Sequence, residues 1–115
     1  MEKAKELVSS SPVFFFSKTY CEACKEVAGF LLKSGANYKM VELDIETHVL
    51  LLNEGDGAAL QSALAEWTGQ RTVPNIFIGG NHIGGKADLM KKHKDGSLIA
   101  LLREAGALPS SNPAV

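Results

Sequence analysis

The sequence predicts an α/β fold: a small mixed sheet of four strands with helices on both faces. Three observations carry that prediction. Pro12-Val13-Phe14-Phe15-Phe16 is a short, wholly apolar run, the pattern of a strand buried on both sides. Val27, Phe30 and Leu31 then fall at helical spacing, and Tyr38-Lys39-Met40-Val41-Glu42-Leu43-Asp44 alternates apolar with polar. Strand, helix and strand in that order make a right-handed crossover with the two strands parallel. Finally, Asn75-Ile76-Phe77-Ile78 and Asn81-His82-Ile83 flank Gly79-Gly80, the pattern of a two-residue hairpin.

In chain order, residues 2–9 read as a first helix, ended by Ser9-Ser10-Ser11-Pro12. A strand over 12–16 and a helix over 22–34 follow, the helix stopped by Ser34-Gly35. After the strand at 38–44, His48-Val49-Leu50-Leu51-Leu52-Asn53-Glu54 reads as a helical turn or a partly buried loop. Gly55-Asp56-Gly57 breaks it, and a helix over 58–68 places Leu60, Leu64 and Trp67 on one face before Gly69 caps it. Beyond the hairpin, Gly84-Gly85 opens a helix over 86–93, and Asp95-Gly96 turns the chain into a last helix over 97–105. That helix turns Leu98, Leu101 and Leu102 inward, and Gly106 ends it. One domain over 1–108 with a loose tail over 109–115 is the expected organisation.

Composition narrows the function. A chain of 115 residues supports one core, and 45% hydrophobic with 22% charged residues is ordinary for a globular protein. A formal net charge of −1 argues against a nucleic-acid partner or an anionic membrane surface. The longest wholly aliphatic run, Val49–Leu52, is far short of the roughly 18 residues of a membrane span. The mixed-charge start, Met1-Glu2-Lys3-Ala4-Lys5-Glu6-Leu7-Val8, is unlike a secretory signal. Both cysteines fall in one motif and none is left for a structural framework, which suits a reducing compartment and points to the cytosol.

The chemistry centres on Lys18-Thr19-Tyr20-Cys21-Glu22-Ala23-Cys24, at the junction of strand and helix. Cys21 is expected at the helix N-terminus, where unpaired amides and the helix dipole favour negative charge, and Lys18 adds a second positive influence. A thiol so placed loses its proton more readily, and the thiolate is the reactive form. Cys24 follows one turn later, near enough to close a disulfide. A C-x-x-C beside a β-α-β pattern reads as a thioredoxin-like redox motif. Zinc is the competing reading, but it takes about four ligands, and His48, His82 and His93 have no zinc-ligand spacing to this pair.

Two further stretches stand out. Pro74 in Thr72-Val73-Pro74 precedes a strand and cannot donate to a ladder; it either merely starts the hairpin or, as a cis bond, exposes the Val73 amide and carbonyl to an extended peptide. Gly84-Gly85-Lys86-Ala87-Asp88 opens a helix whose amides suit a carboxylate and whose Asp88 suits an ammonium group; a simple turn with an N-terminal acid looks identical.

Together these stretches closely resemble the glutaredoxins, particularly plant-type dithiol members. The likeness lies in Phe16-Ser17-Lys18-Thr19-Tyr20-Cys21, in Val41-Glu42-Leu43-Asp44, in the run from Ala65 through Pro74-Asn75 to Gly84-Gly85, and in His93-Lys94-Asp95-Gly96. The resemblance implies a thioredoxin fold with a glutathione groove, and a glutathione-dependent thiol–disulfide oxidoreductase. Its substrates would be protein–glutathione mixed disulfides, reduced through a monothiol cycle, and protein disulfides, reduced through a dithiol cycle. It further implies that Cys21 attacks and keeps the glutathionyl group, while Cys24 resolves protein disulfides. Lys18 and Gln70 would hold the glycine carboxylate of glutathione, and Thr72, Val73 and a cis Pro74 its cysteinyl part. Gly85, Lys86, Ala87 and Asp88 would receive the γ-glutamyl end. The partners expected are glutathione and glutathionylated or disulfide-containing proteins, with the chain a monomer.

Three departures from the family pattern matter. Glu22-Ala23 stands where the family usually has Pro-Tyr or a small residue plus Tyr. The Glu22 carboxylate opposes the pull of Lys18 and makes Cys21 less acidic, or is a screened surface charge that does little. Ala23 removes a bulky wall, and losing the motif proline resembles members that hold a [2Fe-2S] cluster between two subunits, with Cys21 as this chain's ligand and glutathione supplying the rest. A cluster-bound dimer is therefore the alternative function. Lys86-Ala87 replaces Cys-Asp or Cys-Ser. The aliphatic stretch Val49–Leu52 looks like an insertion, serving as core packing or as a patch for self-association.

Overall fold

The computed structural model describes residues 2–45 and 57–108. The elements run α1 (Glu2–Val8), β1 (Val13–Ser17), α2 (Glu22–Ser34), β2 (Tyr38–Glu42), α3 (Gly57–Thr68), β3 (Asn75–Ile78), β4 (Asn81–Gly84), α4 (Lys86–Lys94) and α5 (Ser97–Glu104). The four strands form one sheet in the order β2-β1-β3-β4. β1 pairs parallel with β2, Val13 opposite Tyr38, and antiparallel with β3, Val13 opposite Ile78. β3 and β4 close the antiparallel hairpin through Gly79 and Gly80, both at positive φ as a tight turn between twisted strands requires.

Strand alternation divides the core in two. Val13 and Phe15 of β1, with Ile76 and Ile78 of β3, point to a face covered by α2, α4 and α5 through Val27, Leu31, Leu89, Leu98 and Leu102. Phe14, Phe16 and Phe77 point to the opposite face, met by Ala4 and Val8 of α1 and Leu60 and Leu64 of α3. Every residue of β1 and β3 is buried, which is why these two central strands read as continuous apolar runs. Phe77 sits between two aromatic neighbours, stacked on Trp67 at 5.0 Å and edge-on to Phe16 at 6.2 Å between centroids.

The predicted elements stand, with small shifts at their ends. β1 is displaced by one residue from the expected 12–16: the Ser17 carbonyl accepts a bond from Leu43 N (2.8 Å), extending the ladder, while the Pro12 carbonyl accepts from Gly79 N (2.8 Å). β2 stops at Glu42 rather than Asp44 because Ile45 N turns back to the Glu42 carbonyl (3.2 Å). α2 ends where Gly35 enters the left-handed region at φ 78° and its N–H meets the Leu31 and Leu32 carbonyls. The expected helical turn or loop over His48–Glu54, with its aliphatic stretch Val49–Leu52 and the Gly55-Asp56 break, and the tail from Pro109 lie outside the described residues. No described helix is long and apolar enough to cross a membrane.

Candidate functional site

Cys21 is the N-cap of α2, with extended backbone (φ −85°, ψ 106°), and its Sγ accepts a hydrogen bond from Cys24 N at 3.1 Å. The two cysteines are joined by a disulfide, their Cα atoms 5.2 Å apart. Their surroundings differ. Cys21 is half-buried, whereas Cys24 is 1% exposed and packs in the same cluster as Val27 and Leu31. One sulfur is reachable from outside and the other is held against the core.

The turn that delivers Cys21 is fixed twice. Cys21 N donates to the Lys18 carbonyl (3.0 Å), closing the turn, and Asp44, two residues past β2, grips Thr19 within it. The Asp44 carboxylate accepts from Thr19 N (3.0 and 3.2 Å) and from Thr19 Oγ1 (2.6 Å). The Thr19 hydroxyl bond, with the Thr19 amide and the Lys18 charge adding to it, holds the Asp44 carboxyl below its ordinary pKa. Asp44 belongs to a stretch that marks the family, yet no sequence argument assigned it a role, because its partner lies 25 residues away. Lys18 is half-buried in this turn, and Tyr20 is exposed beside Cys21.

Facing Cys21 is the loop before β3. The Val73–Pro74 bond is cis and Pro74 is buried. The Val73 carbonyl oxygen lies 3.8 Å from Cys21 Sγ. Gln70 shows a contact the sequence did not announce: its Nε2 donates to the Thr72 carbonyl (3.0 Å) and the Pro74 carbonyl (2.9 Å). Gln70 N in turn donates to Thr68 Oγ1 (3.1 Å) at the end of α3. Thr72 itself is exposed.

The third wall is the start of α4. Gly85 approaches the loop closely enough that a Cβ there would lie 3.7 Å from the Pro74 carbonyl oxygen. Asp88 Oδ2 accepts from Gly85 N (2.9 Å), capping its own helix. Gly84 is at φ +122°, and a Cβ on it would fall 2.2 Å from Asp88 Oδ2, so glycine is the residue that lets this carboxylate settle. Lys86 Nζ reaches across to form an ion pair with Glu26 of α2, tying the two helix starts together. Ala87 and Asp88 are exposed beside it.

The predicted residues thus converge on one place: Cys21 at a helix N-terminus, the Val73–Pro74 loop against it, and the Gly85–Asp88 helix start against that loop. Three residues that sequence reasoning left without a role, Glu26, Asp44 and Gln61, turn out to brace these walls.

Comparison with known proteins agrees with this geometry. The family model for glutaredoxin matches residues 13–83. Glutaredoxin-C2 of Arabidopsis thaliana is 56% identical over 108 residues, covering 94% of this chain and 90% of that protein. Glutaredoxin-C4 of Oryza sativa subsp. japonica, described as chloroplastic, is likewise 56% identical, with 94% and 75% covered. Among solved structures, a buckwheat glutaredoxin–glutathione complex superposes with a TM-score of 0.82 at 50% identity, covering 93% of this chain and 90% of that one. A four-stranded sheet with this cysteine pair at a helix start, matched over most of the chain by these relatives, places the protein in the glutaredoxin family, the glutathione-dependent thiol–disulfide oxidoreductases of the thioredoxin fold.

Proposed function

We propose that the protein reduces protein–glutathione mixed disulfides through Cys21 alone, and protein disulfides through Cys21 and Cys24 together. The observation that carries the reading is the placement of Cys21 Sγ, at the α2 N-terminus, 3.8 Å from the Val73 carbonyl, with Cys24 buried behind it. The helix start and the Cys24 amide favour the thiolate once the disulfide is reduced.

That thiolate attacks the glutathione sulfur of the mixed disulfide. The old S–S bond breaks, the target leaves as a thiolate that takes up a proton, and a new disulfide links Cys21 to glutathione. The thiolate of a second glutathione then attacks the glutathionyl sulfur, leaving as glutathione disulfide and returning Cys21 as thiolate. With a protein disulfide, Cys21 forms the mixed disulfide and Cys24 displaces the target, giving the Cys21–Cys24 bond that two glutathiones reduce. The glutathione complex of the buckwheat relative supports glutathione as a ligand, and in this reading the Val73 and Gly85–Asp88 walls would receive it. In this reading Lys18 would hold the glycine carboxylate, and Gln70 would join it by turning its amide from the Thr72 and Pro74 carbonyls that it meets here. Both cysteines fall in the redox pair, so the reading keeps the cytosol, or another reducing compartment, as the place of work.

The second reading, a [2Fe-2S] cluster between two copies, would draw on Cys21 of each, the reachable sulfur, with glutathione as the outside thiol. Such a cluster supplies one-electron chemistry when bound. Among the described residues no group of three or more His, Cys, Asp or Glu gathers to hold a metal.

The deciding experiment is the glutathione-dependent reduction of a glutathionylated peptide by wild type, Cys24→Ser and Cys21→Ser. Comparable turnover by wild type and Cys24→Ser, with none from Cys21→Ser, is expected. A wild type that does not turn over, but becomes a coloured dimer after anaerobic reconstitution with iron, sulfide and glutathione, would overturn the reading in favour of the cluster.

A further inference from the structure

The loop that faces Cys21 is held through its carbonyl groups. The Gln70 carbonyl accepts from Asn75 Nδ2 (3.4 Å), and the Arg71 carbonyl from Gln61 Nε2 (2.7 Å). Those of Thr72 and Pro74 both accept from Gln70 Nε2. Of the five carbonyls from Gln70 to Pro74, Val73's is therefore the one that no side-chain amide takes among the described residues, and it is the one turned towards Cys21 Sγ. A carbonyl occupied by an amide has its direction fixed, because the bond weakens steeply off axis. Fixing the four around it also fixes the peptide planes that flank the Val73–Pro74 peptide on both sides.

The amides are themselves oriented. Asn75 is 1% exposed, and its Oδ1 lies 2.8 Å from His82 Nε2. An amide oxygen only accepts, so Nε2 carries the proton, and this bond turns Asn75 Nδ2 towards the Gln70 carbonyl. Gln61 comes from a different element, α3, and spans ten residues of sequence to reach Arg71. Its side chain has no place in the helix's own hydrogen bonding, and it ties the far side of the loop to a helix anchored in the core by Leu60 and Leu64.

We infer that Gln61 is a positioning residue for the thiol–disulfide exchange: by clamping the Arg71 carbonyl it helps keep the Val73 carbonyl clear of side-chain amides and facing the side where Cys21 meets the incoming disulfide. The inference rests on the proposed reading of Val73 as the docking edge. The side-chain amide of Gln61 bonds to the Arg71 carbonyl, and not to Cys21, Lys18 or Asp88. Its effect is therefore on how well the substrate is held, not on the reactivity of the thiolate.

The test is steady-state deglutathionylation of a peptide by the full chain carrying Gln61→Met, Gln61→Glu or Gln61→Lys. Methionine keeps the length without a donor, glutamate replaces the donor by a charge that repels the carbonyl, and lysine restores a donor. Losing a hydrogen bond of ordinary worth predicts a rise of about three- to tenfold in KM for the glutathionylated peptide in Gln61→Met, and more in Gln61→Glu. With kcat and the Cys21 thiolate absorbance titration unmoved, Gln61→Lys recovers most of the loss. Wild-type KM in the folded Met and Glu variants would overturn the inference, and so would a lysine variant as impaired as methionine. Should Gln61→Met not fold, the comparison of Glu with Lys, both charged and of helix-favouring type, decides it alone. Failure of the wild type to turn over at all would instead strike the proposed function.

Discussion

Asp44 accepts three hydrogen-bond contacts from Thr19, two from its amide and one from its hydroxyl, so the chain just beyond β2 holds the turn two residues before the reactive cysteine. The stretch containing Asp44 is thus part of the site without touching the sulfur. Removing the carboxylate frees the turn that sets Cys21 and Lys18. Asp44→Ala is expected to lower kcat/KM for a glutathionylated peptide by about three- to thirtyfold, short of the roughly hundredfold that a 1 Å misplacement of reacting groups can cost. Thr19→Val, which keeps the amide but loses the hydroxyl, should fall between wild type and Asp44→Ala.

The same pair sets an acid limit. Because the Thr19 bonds lower the Asp44 pKa from its ordinary 3.8, the folded state binds the proton less readily than the unfolded chain. The stabilising contribution is therefore complete above pH 3.8 and is lost as pH falls below it. Urea midpoints of wild type and Asp44→Asn should differ most at neutral pH and converge as the solution approaches pH 3.

His82 acts in a higher window with the same sign. Burial lowers its pKa from the ordinary 6.5, against an opposing pull from Asp88, so the folded state favours the neutral ring. Its contribution is complete above pH 6.5 and declines as pH falls below that value. The stability advantage of wild type over His82→Gln is expected to shrink between pH 8 and pH 5.5, read by urea denaturation. The bond to Asn75 is donated by Nε2 and survives protonation, so activity should not show a step at this pH.

Phe77 carries the core on the side of the sheet away from the disulfide. It is wholly buried between Trp67 and Phe16. Phe77→Ala should cost about 3–5 kcal/mol in chemical denaturation, and Phe77→Leu distinctly less, because the cavity left is smaller.

Gly84→Ala tests the third wall. The new Cβ would meet the Asp88 carboxylate at 2.2 Å on a backbone at φ +122°. Strain of this kind is worth about 1–3 kcal/mol, so a lowered melting temperature is expected, together with a raised KM for glutathione as Asp88 is displaced.

Glu22 stands at the first helical position after Cys21, where proline is also tolerated, so Glu22→Pro tests the charge without breaking α2. If the carboxylate opposes the thiolate, the variant titrates at a lower pH than wild type by thiolate absorbance; an equal or higher value would show the charge to be screened.

Much of this protein was legible without a structure because its signals are local. Apolar runs, a cysteine pair before a helical period, Gly79-Gly80 between short strands and Gly35 after a helix each state their conformation within a few residues. The alternation Val13, Phe14, Phe15, Phe16 even contained the division of the core, since odd and even residues of a strand must face opposite ways. That Cys21 starts a helix and Cys24 follows one turn on was likewise determined by spacing alone.

Contacts between residues far apart in sequence come instead from the packing of the elements. Asp44 with Thr19, Glu26 with Lys86 and Gln61 with Arg71 join pieces of chain whose sequences are ordinary taken singly. The same holds for Gln70: the family resemblance implied a carboxylate ligand, and folding also brings two loop carbonyls within reach of its amide. A side chain's partner is set by which backbone groups the fold leaves beside it. Local sequence decides which element a residue joins, and the packing of elements decides which polar groups must satisfy one another there.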